Sequence, residues 1–287
     1  MNKALKKAWM GVFLCLAIGI WVGVANINVF SAGETFNWYC MRRKDHSQPQ
    51  AESNMRFIEE YDGYYADKRH DAMTDEDKVI YLTFDAGYEN GHIAKILDVL
   101  KEEQVPAAFF ILLHMVEGEE ALVRRMMDEG HLVCNHTMKH RDMTKVTDEA
   151  AFRAELDGLN QKFEEKFGTR MANYYRPPEG KFSEENLKYA REAGYKTIFW
   201  SFAYADWDNN AQPSAEKAKK LIADNIHNGE VMLLHPTSAT NAAILGDVIR
   251  DLKAQGFRFG TLDELTAGES AGDGAEGSVS APCPTQN

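Results

Sequence analysis

Between residues 79 and 261 the chain alternates short apolar runs with stretches whose apolar residues recur every three or four positions. The run 79–84 (VIYLTF) is rich in β-branched and aromatic residues, and Ile93, Ile96, Leu97 and Leu100 follow at helical spacing. The pattern then predicts strands over 107–112, 131–135, 174–176, 195–200, 231–234 and 257–261. Between them it predicts helices over 118–129, with Leu122, Val123 and Met126 inward, from about 147 to 167, from 183, over 214–226 and over 239–255. Thr147-Asp148-Glu149 supplies an acidic, cappable start to the long helix. About seven strand–helix repeats in roughly 190 residues imply an α/β domain with parallel strands and helices outside. No G-x-G-x-x-G follows the first strand, which removes the dinucleotide fingerprint. Polar residues instead cluster after several different strands, as in (β/α) barrel enzymes.

Both ends depart from this pattern. Lys3, Lys6 and Lys7 precede a charge-free apolar run over 8–25, and the whole of 1–33 reads as an export signal or membrane anchor. The positive-inside rule keeps the lysines cytoplasmic and puts the remainder outside, either secreted or anchored. Residues 267–287 are rich in Gly, Ala and Ser without apolar periodicity, which predicts a disordered tail. Residues 34–78 carry Trp38, Tyr39, Tyr61, Tyr64 and Tyr65 among charges, and read as an ordered extension wrapping the domain at 79–266.

Charge sharpens the picture. The chain has 287 residues, with 32 basic against 44 acidic side chains and a net charge of −12. The ends cancel, so the middle carries the whole charge. That argues against nucleic acid as a partner and against a polybasic membrane surface. Four cysteines are too few for a disulfide framework. Cys134 sits in an apolar stretch and reads as buried, while Cys40 and Cys283 would share a compartment and could pair.

Five polar elements follow five of the predicted strands. Asp85 ends the first, where burial and a nearby cation can tune a carboxylate as a base; alone it would serve equally as a cap or turn residue. His136 and His140 follow the third, four apart as on one face of a helical turn, and can bind one metal; H-x-x-x-H alone is a weak signal. Arg176 ends the fourth ahead of Pro177 and Pro178, which restrict the backbone, so its guanidinium can hold a carboxylate or make a purely structural ion pair. Asp206 and Trp207 lie in a loop rich in aromatics, suited to stacking on sugar rings or to covering a barrel top. His235 ends the sixth strand, where Asp206 could hold it protonated, although a lone histidine there is as readily a core residue. Their joint, ordered placement is hard to assign to chance.

The order Thr83-Phe84-Asp85, His136-x-x-x-His140, Arg176-Pro177-Pro178, Asp206-Trp207, Leu233-Leu234-His235 resembles the polysaccharide deacetylases with the NodB homology domain, carbohydrate esterase family four. The resemblance spans roughly residues 79–265. Asp85-Ala86-Gly87-Tyr88-Glu89-Asn90-Gly91 and Trp200-Ser201-Phe202-Ala203 are most similar to the delta-lactam-biosynthetic de-N-acetylases of sporulating bacteria.

The resemblance implies an incomplete, deformed (β/α)7 barrel and metal-assisted hydrolysis of an acetamide. It implies Asp85 as general base, His136 and His140 as ligands of a divalent metal, zinc first, and Arg176 as the residue that tunes Asp85. His235 is implied as general acid paired to Asp206, and Tyr175, Pro177, Trp207 and Leu233 as substrate-binding residues. The implied substrate is N-acetylmuramic acid in peptidoglycan glycan strands whose stem peptides have been removed, on the route to the muramic delta-lactam of spore cortex. A monomer without an obligate protein partner is expected. One position departs from the family pattern: Ala86 stands where a second Asp completes the metal triad. Two histidines and water would then hold the metal weakly, unless Glu89 or Asn90 joins them. Two other readings stay open: a deacetylase of chitin-like or xylan chains, and a glycan-binding relative without catalysis.

Overall fold

The computed structural model describes residues 33–267. The expected export segment over 1–33 and tail over 267–287 therefore lie almost wholly outside the described residues, as does Cys283. Among the described residues no helix is long and apolar enough to cross a membrane.

The extension contributes three elements before the repeats begin. These are β1 (Thr35–Asn37), a 3-10 turn at Ser53–Tyr61 and β2 (Gly63–Tyr64). The repeats follow as β3 (Lys78–Ala86), α1 (Ile93–Glu103), β4 (Ala108–Ile111), α2 (Leu113–Gly118), α3 (Glu120–Asp128), β5 (Leu132–Asn135) and α4 (Glu149–Phe167). Then come β6 (Ala172–Tyr175), β7 (Lys181–Ser183), α5 (Glu184–Glu192), β8 (Lys196–Ile198), α6 (Ala215–Asn225), β9 (Glu230–Leu234), α7 (Ala239–Ala254), β10 (Phe257–Phe259) and α8 (Leu262–Thr266). The starts follow sequence chemistry: Asp148, Ser183, Ser214 and Ser238 each cap a helix by accepting a backbone N–H. The helix predicted over 118–129 differs at its front. Leu113–Gly118 and Glu120–Asp128 are separate helices that break at Glu119.

Strands β3, β4, β5, β6, β8, β9 and β10 pair in parallel and β2 from the extension adds to β8, while β7 pairs antiparallel with β1 in a separate two-stranded sheet. The sheet curls until β8 nearly meets β9. There a bridge from Phe202 to Met232, a second from Ala66 after β2 to Glu230, and hydrogen bonds such as Ser201 N–H to Val231 O (3.0 Å) span the seam. This is the incomplete, deformed barrel expected.

Strand β3 shows how residues are sorted. Its even positions Ile80, Leu82, Phe84 and Ala86 join the core under the helices, with Ile96, Leu97 and Leu252. Its odd positions Val79 and Tyr81 pack inside the barrel with Phe110, Cys134, Ile198 and Val231. Cys134 is fully buried there. The extension packs against the barrel side through Trp38, which stacks on Phe199 (4.5 Å between centroids) and donates to Trp200 O (2.8 Å).

Candidate active site

Parallel register brings the candidate residues to one rim. Phe84 lies opposite Leu234, so Asp85 and His235 leave adjacent strands at the same height. Asn135 lies opposite Ile111 and Tyr175, so His136 and Arg176 emerge side by side on β5 and β6, beyond β4. These are the C-terminal ends of parallel strands, where helical connections leave room for a site. A cavity of about 660 Å³ opens there, lined among others by Asp85, His136, His140, Trp207, Leu233 and His235.

Asp85 continues the inward-facing alternation of β3. Its Oδ1 accepts from Arg176 Nη1 at 2.8 Å. Arg176 is fully buried, and three further hydrogen bonds hold it: Nη2 donates to Thr83 Oγ1 (3.0 Å) and Phe199 O (3.2 Å), and Nε to Ile198 O (2.9 Å). The Phe110 ring lies 4.1 Å from the guanidinium carbon. Burial by itself would raise the Asp85 pKa, but Arg176, with help from His136 and His235, outweighs it and holds the carboxyl below its ordinary value. The turn after Arg176 is equally constrained. Pro177 restricts the arginine backbone, Glu179 sits at φ 57° and Gly180 at φ 66°. A Cβ on Gly180 would come within 2.7 Å of the Trp200 ring.

The acid side is built differently. His235 Nδ1 donates to Asp206 Oδ1 (2.7 Å), and the His235 backbone N–H donates to Oδ2 (2.8 Å). Asn241, on the first turn of α7, adds a third bond to Asp206 Oδ2 (2.6 Å) and is itself bonded to the Tyr204 hydroxyl. Burial would lower the His235 pKa, yet the hydrogen bond and charge of Asp206 reverse that, and the pKa is raised.

His136 and His140 do come together, with ring centroids 5.0 Å apart, but not on a helical turn. Residues 138–139 form a bend, flanked by Thr137 at φ 74° and His140 at φ 53°. Asn135 Oδ1 accepts from Thr137 N–H (2.9 Å), and Thr137 Oγ1 accepts from His140 N–H (3.0 Å). His136 Nδ1 donates to Arg176 O (2.8 Å), which leaves Nε2 as a lone-pair donor. Burial pushes the His136 pKa down to about 4, so the ring is neutral near pH 7. Two imidazoles side by side suit a divalent metal with open positions. Among the described residues no group of three or more His, Cys, Asp or Glu is placed to hold one. Ala86 packs its methyl in the core under the helices. Glu89 and Asn90 do not compensate. Glu89 caps the start of α1 by accepting from Gly91 and Ile93 N–H, and Asn90 donates to Thr237 O (2.8 Å).

Two of the expected substrate contacts need correction. Tyr175 packs its ring on Phe152 in the core, and Pro177 is buried; neither lines the cavity. Strand alternation accounts for Tyr175: its neighbour Arg176 takes the inward direction. Trp207, 59% exposed, and Leu233 do line the cavity. Sequence reasoning missed Asn241, and it quoted Thr83 and Tyr88 in the motifs without giving them a role. Tyr88 lines the cavity 44% exposed, and its hydroxyl accepts from Asn209 Nδ2 (2.8 Å).

Comparison with known proteins now decides the family. The polysaccharide deacetylase family model matches residues 72–198. The peptidoglycan-N-acetylmuramic acid deacetylase PdaA of Bacillus subtilis is 39% identical over 90% of this chain and 95% of its own length. The chain belongs to the polysaccharide deacetylase family. The deacetylases of this family are hydrolases of amide bonds. The solved structure of Bacillus subtilis PdaA, a family 4 carbohydrate esterase, covers 82% of this chain and 97% of its own with a TM-score of 0.75. A family 4 carbohydrate esterase from Bacillus anthracis follows at 36% identity and a TM-score of 0.66, over 82% of this chain and 97% of that one. The deacetylase fold thus accounts for the curled parallel sheet, with the cavity at its C-terminal rim.

Proposed function

We propose that this deacetylase removes the N-acetyl group from muramic acid in peptidoglycan strands stripped of stem peptides. The freed amine can then attack the neighbouring lactyl carboxyl and close the muramic delta-lactam. The observation that carries a hydrolytic role is the two opposed ion pairs, Asp85–Arg176 and His235–Asp206, whose Asp85 and His235 line one cavity. The likeness to an N-acetylmuramic acid deacetylase supports the choice of sugar.

Asp85, ionised at neutral pH, takes a proton from the attacking water. Arg176 keeps it ionised and fixes one carboxylate oxygen, leaving the other toward His136. His235, held protonated by Asp206, gives its Nε2 proton to the leaving amine, which is otherwise too basic to depart. A divalent metal, zinc by its affinity for imidazole, would be held by His136 and His140 and would supply Lewis-acid polarisation of the acetamide and a lower pKa for water. Trp207 and Tyr88 offer aromatic faces to the pyranose. Such a substrate lies outside the membrane, consistent with the basic-then-apolar opening of the chain.

The test is to digest amidase-stripped peptidoglycan with the purified protein and divalent metal, followed by mass spectrometry. Acetate release with muramic lactam is the expected result. Turnover confined to chitin oligomers would replace the substrate, and no product from any glycan would end the enzymatic reading.

A further inference from the structure

A second cavity, of about 560 Å³, lies in the extension. Its lining residues fall between Arg43 and Asp71, all ahead of residue 72 where the family match begins. Arg43, Arg56 and Lys68 face it, with Glu59 and Asp71 as the opposing charges. Lys68 is already paired with Glu59. Neither the Arg43 nor the Arg56 guanidinium makes an ion pair or hydrogen bond with another described residue; Arg43 is only felt at a distance by Asp45. The walls are fixed. Tyr65 is 5% exposed, and Gln48 Nε2 is tied to three carbonyls, Asp67 O (2.7 Å), His70 O (2.8 Å) and Asn228 O (2.9 Å).

We infer that this cavity is an oxyanion subsite that grips a carboxylate or phosphate group of the wall polymer away from the cleaved acetamide. Two unpaired guanidiniums in one concavity match the planar, two-point hydrogen bonding of such groups. The net charge of −12 works against anionic glycans at long range. At physiological salt, charges more than about 8 Å apart are largely screened, so the local arginines decide contact. An acidic enzyme on an anionic polymer needs such a local grip, and the active-site cavity offers little free cation for it. Among the described residues no Arg or Lys lines it, and Arg176 behind Asp85 is buried and committed to that carboxylate. The choice of polymer rests on the function proposed above; the anion site does not.

The experiment uses the full chain and the double variant Arg43→Gln/Arg56→Gln. Binding is measured at fixed ionic strength to peptide-free glycan strands, to the same strands with carboxyls reduced, to a phosphodiester wall polymer and to inorganic phosphate. Acetate release from a short oligosaccharide is followed in parallel. The double variant is expected to lose about tenfold or more in affinity for an anionic polymer, with turnover of the short substrate unchanged. Arginine-dependent binding that vanishes on carboxyl reduction assigns the strand's own carboxylates; binding confined to the phosphodiester polymer and phosphate assigns phosphate. Arg43→Lys/Arg56→Lys should recover part of the affinity. Equal binding by wild type and double variant, or no binding of any anion by wild type, overturns the subsite. Arginine-dependent binding without acetate release from any glycan would sink the proposed function and leave the subsite standing.

Discussion

The two sides of the active site use the same pairing, a carboxylate against a cation, in opposite orientation. On the base side the cation is inside: Arg176 is fully buried under strand ends, and Asp85 meets the cavity. On the acid side the carboxylate is inside: Asp206 is 1% exposed, and His235 meets the cavity. The buried partner sets the protonation state of the one that faces substrate. Arg176 depresses the Asp85 pKa, and Asp206 raises that of His235. One cavity therefore holds an ionised base and a protonated acid at the same pH.

The contrast breaks most completely at Arg176. Arg176→Ala leaves Asp85 and the Thr83 hydroxyl without their donor and opens a void beneath Phe110. It should cost about 3–5 kcal/mol of stability as well as activity, read from urea unfolding. Asp85→Asn tests the base side without that void. Folding should persist while turnover falls about 10²–10⁴-fold, as measured by acetate release and thermal melting. Retained turnover in that variant would show that another group is the base.

Asp206→Asn tests the acid side and its sign. His235 must carry a proton to donate it, so activity falls as pH rises through its raised pKa. Removing the carboxylate removes the main cause of the raise, and the falling limb of the pH profile should move to lower pH. An unmoved limb would detach His235 from the acid step. Asn241→Ala withdraws one of the three donors to Asp206 and leaves the carboxylate a stronger acceptor for the imidazolium, so that limb should move the other way, to slightly higher pH, and by less. The smallest effect lies at the cavity mouth. Tyr88→Ala should raise KM a few-fold with kcat nearly constant, whereas Tyr88→Phe, which keeps the ring and loses only the bond to Asn209, should cost about 1 kcal/mol or less.

Much of the architecture was legible because it is local. Residues 79–84 alternate between two apolar faces, and caps such as Asp148 and Ser183 stand where helices begin. The short helix Leu113–Gly118 was not legible; the pattern placed no element between the strand ending at 112 and the helix from 118. Asp85, His136, Arg176 and His235 could be picked out because each is polar directly after an apolar strand. The histidine pair misled in detail. A spacing of four suggested a helical turn, whereas bonds from Asn135 and Thr137 hold a left-handed bend that no periodicity encodes. Asn241 escaped notice because it stands on a helix 35 residues from Asp206 and touches it only once the chain has folded back.

By itself, the sequence determined the strand–helix alternation, the rim on which polar residues gather, and the types of acid, base and ligand available there. Those follow from solvation and backbone geometry over a few residues. Tertiary structure decided which cation meets which carboxylate and which member of each pair is buried. It also turned Tyr175 into the core while Tyr88 came to the cavity. Register between strands far apart in the chain sets those distances, and a pKa responds to distance and burial rather than to order along the chain.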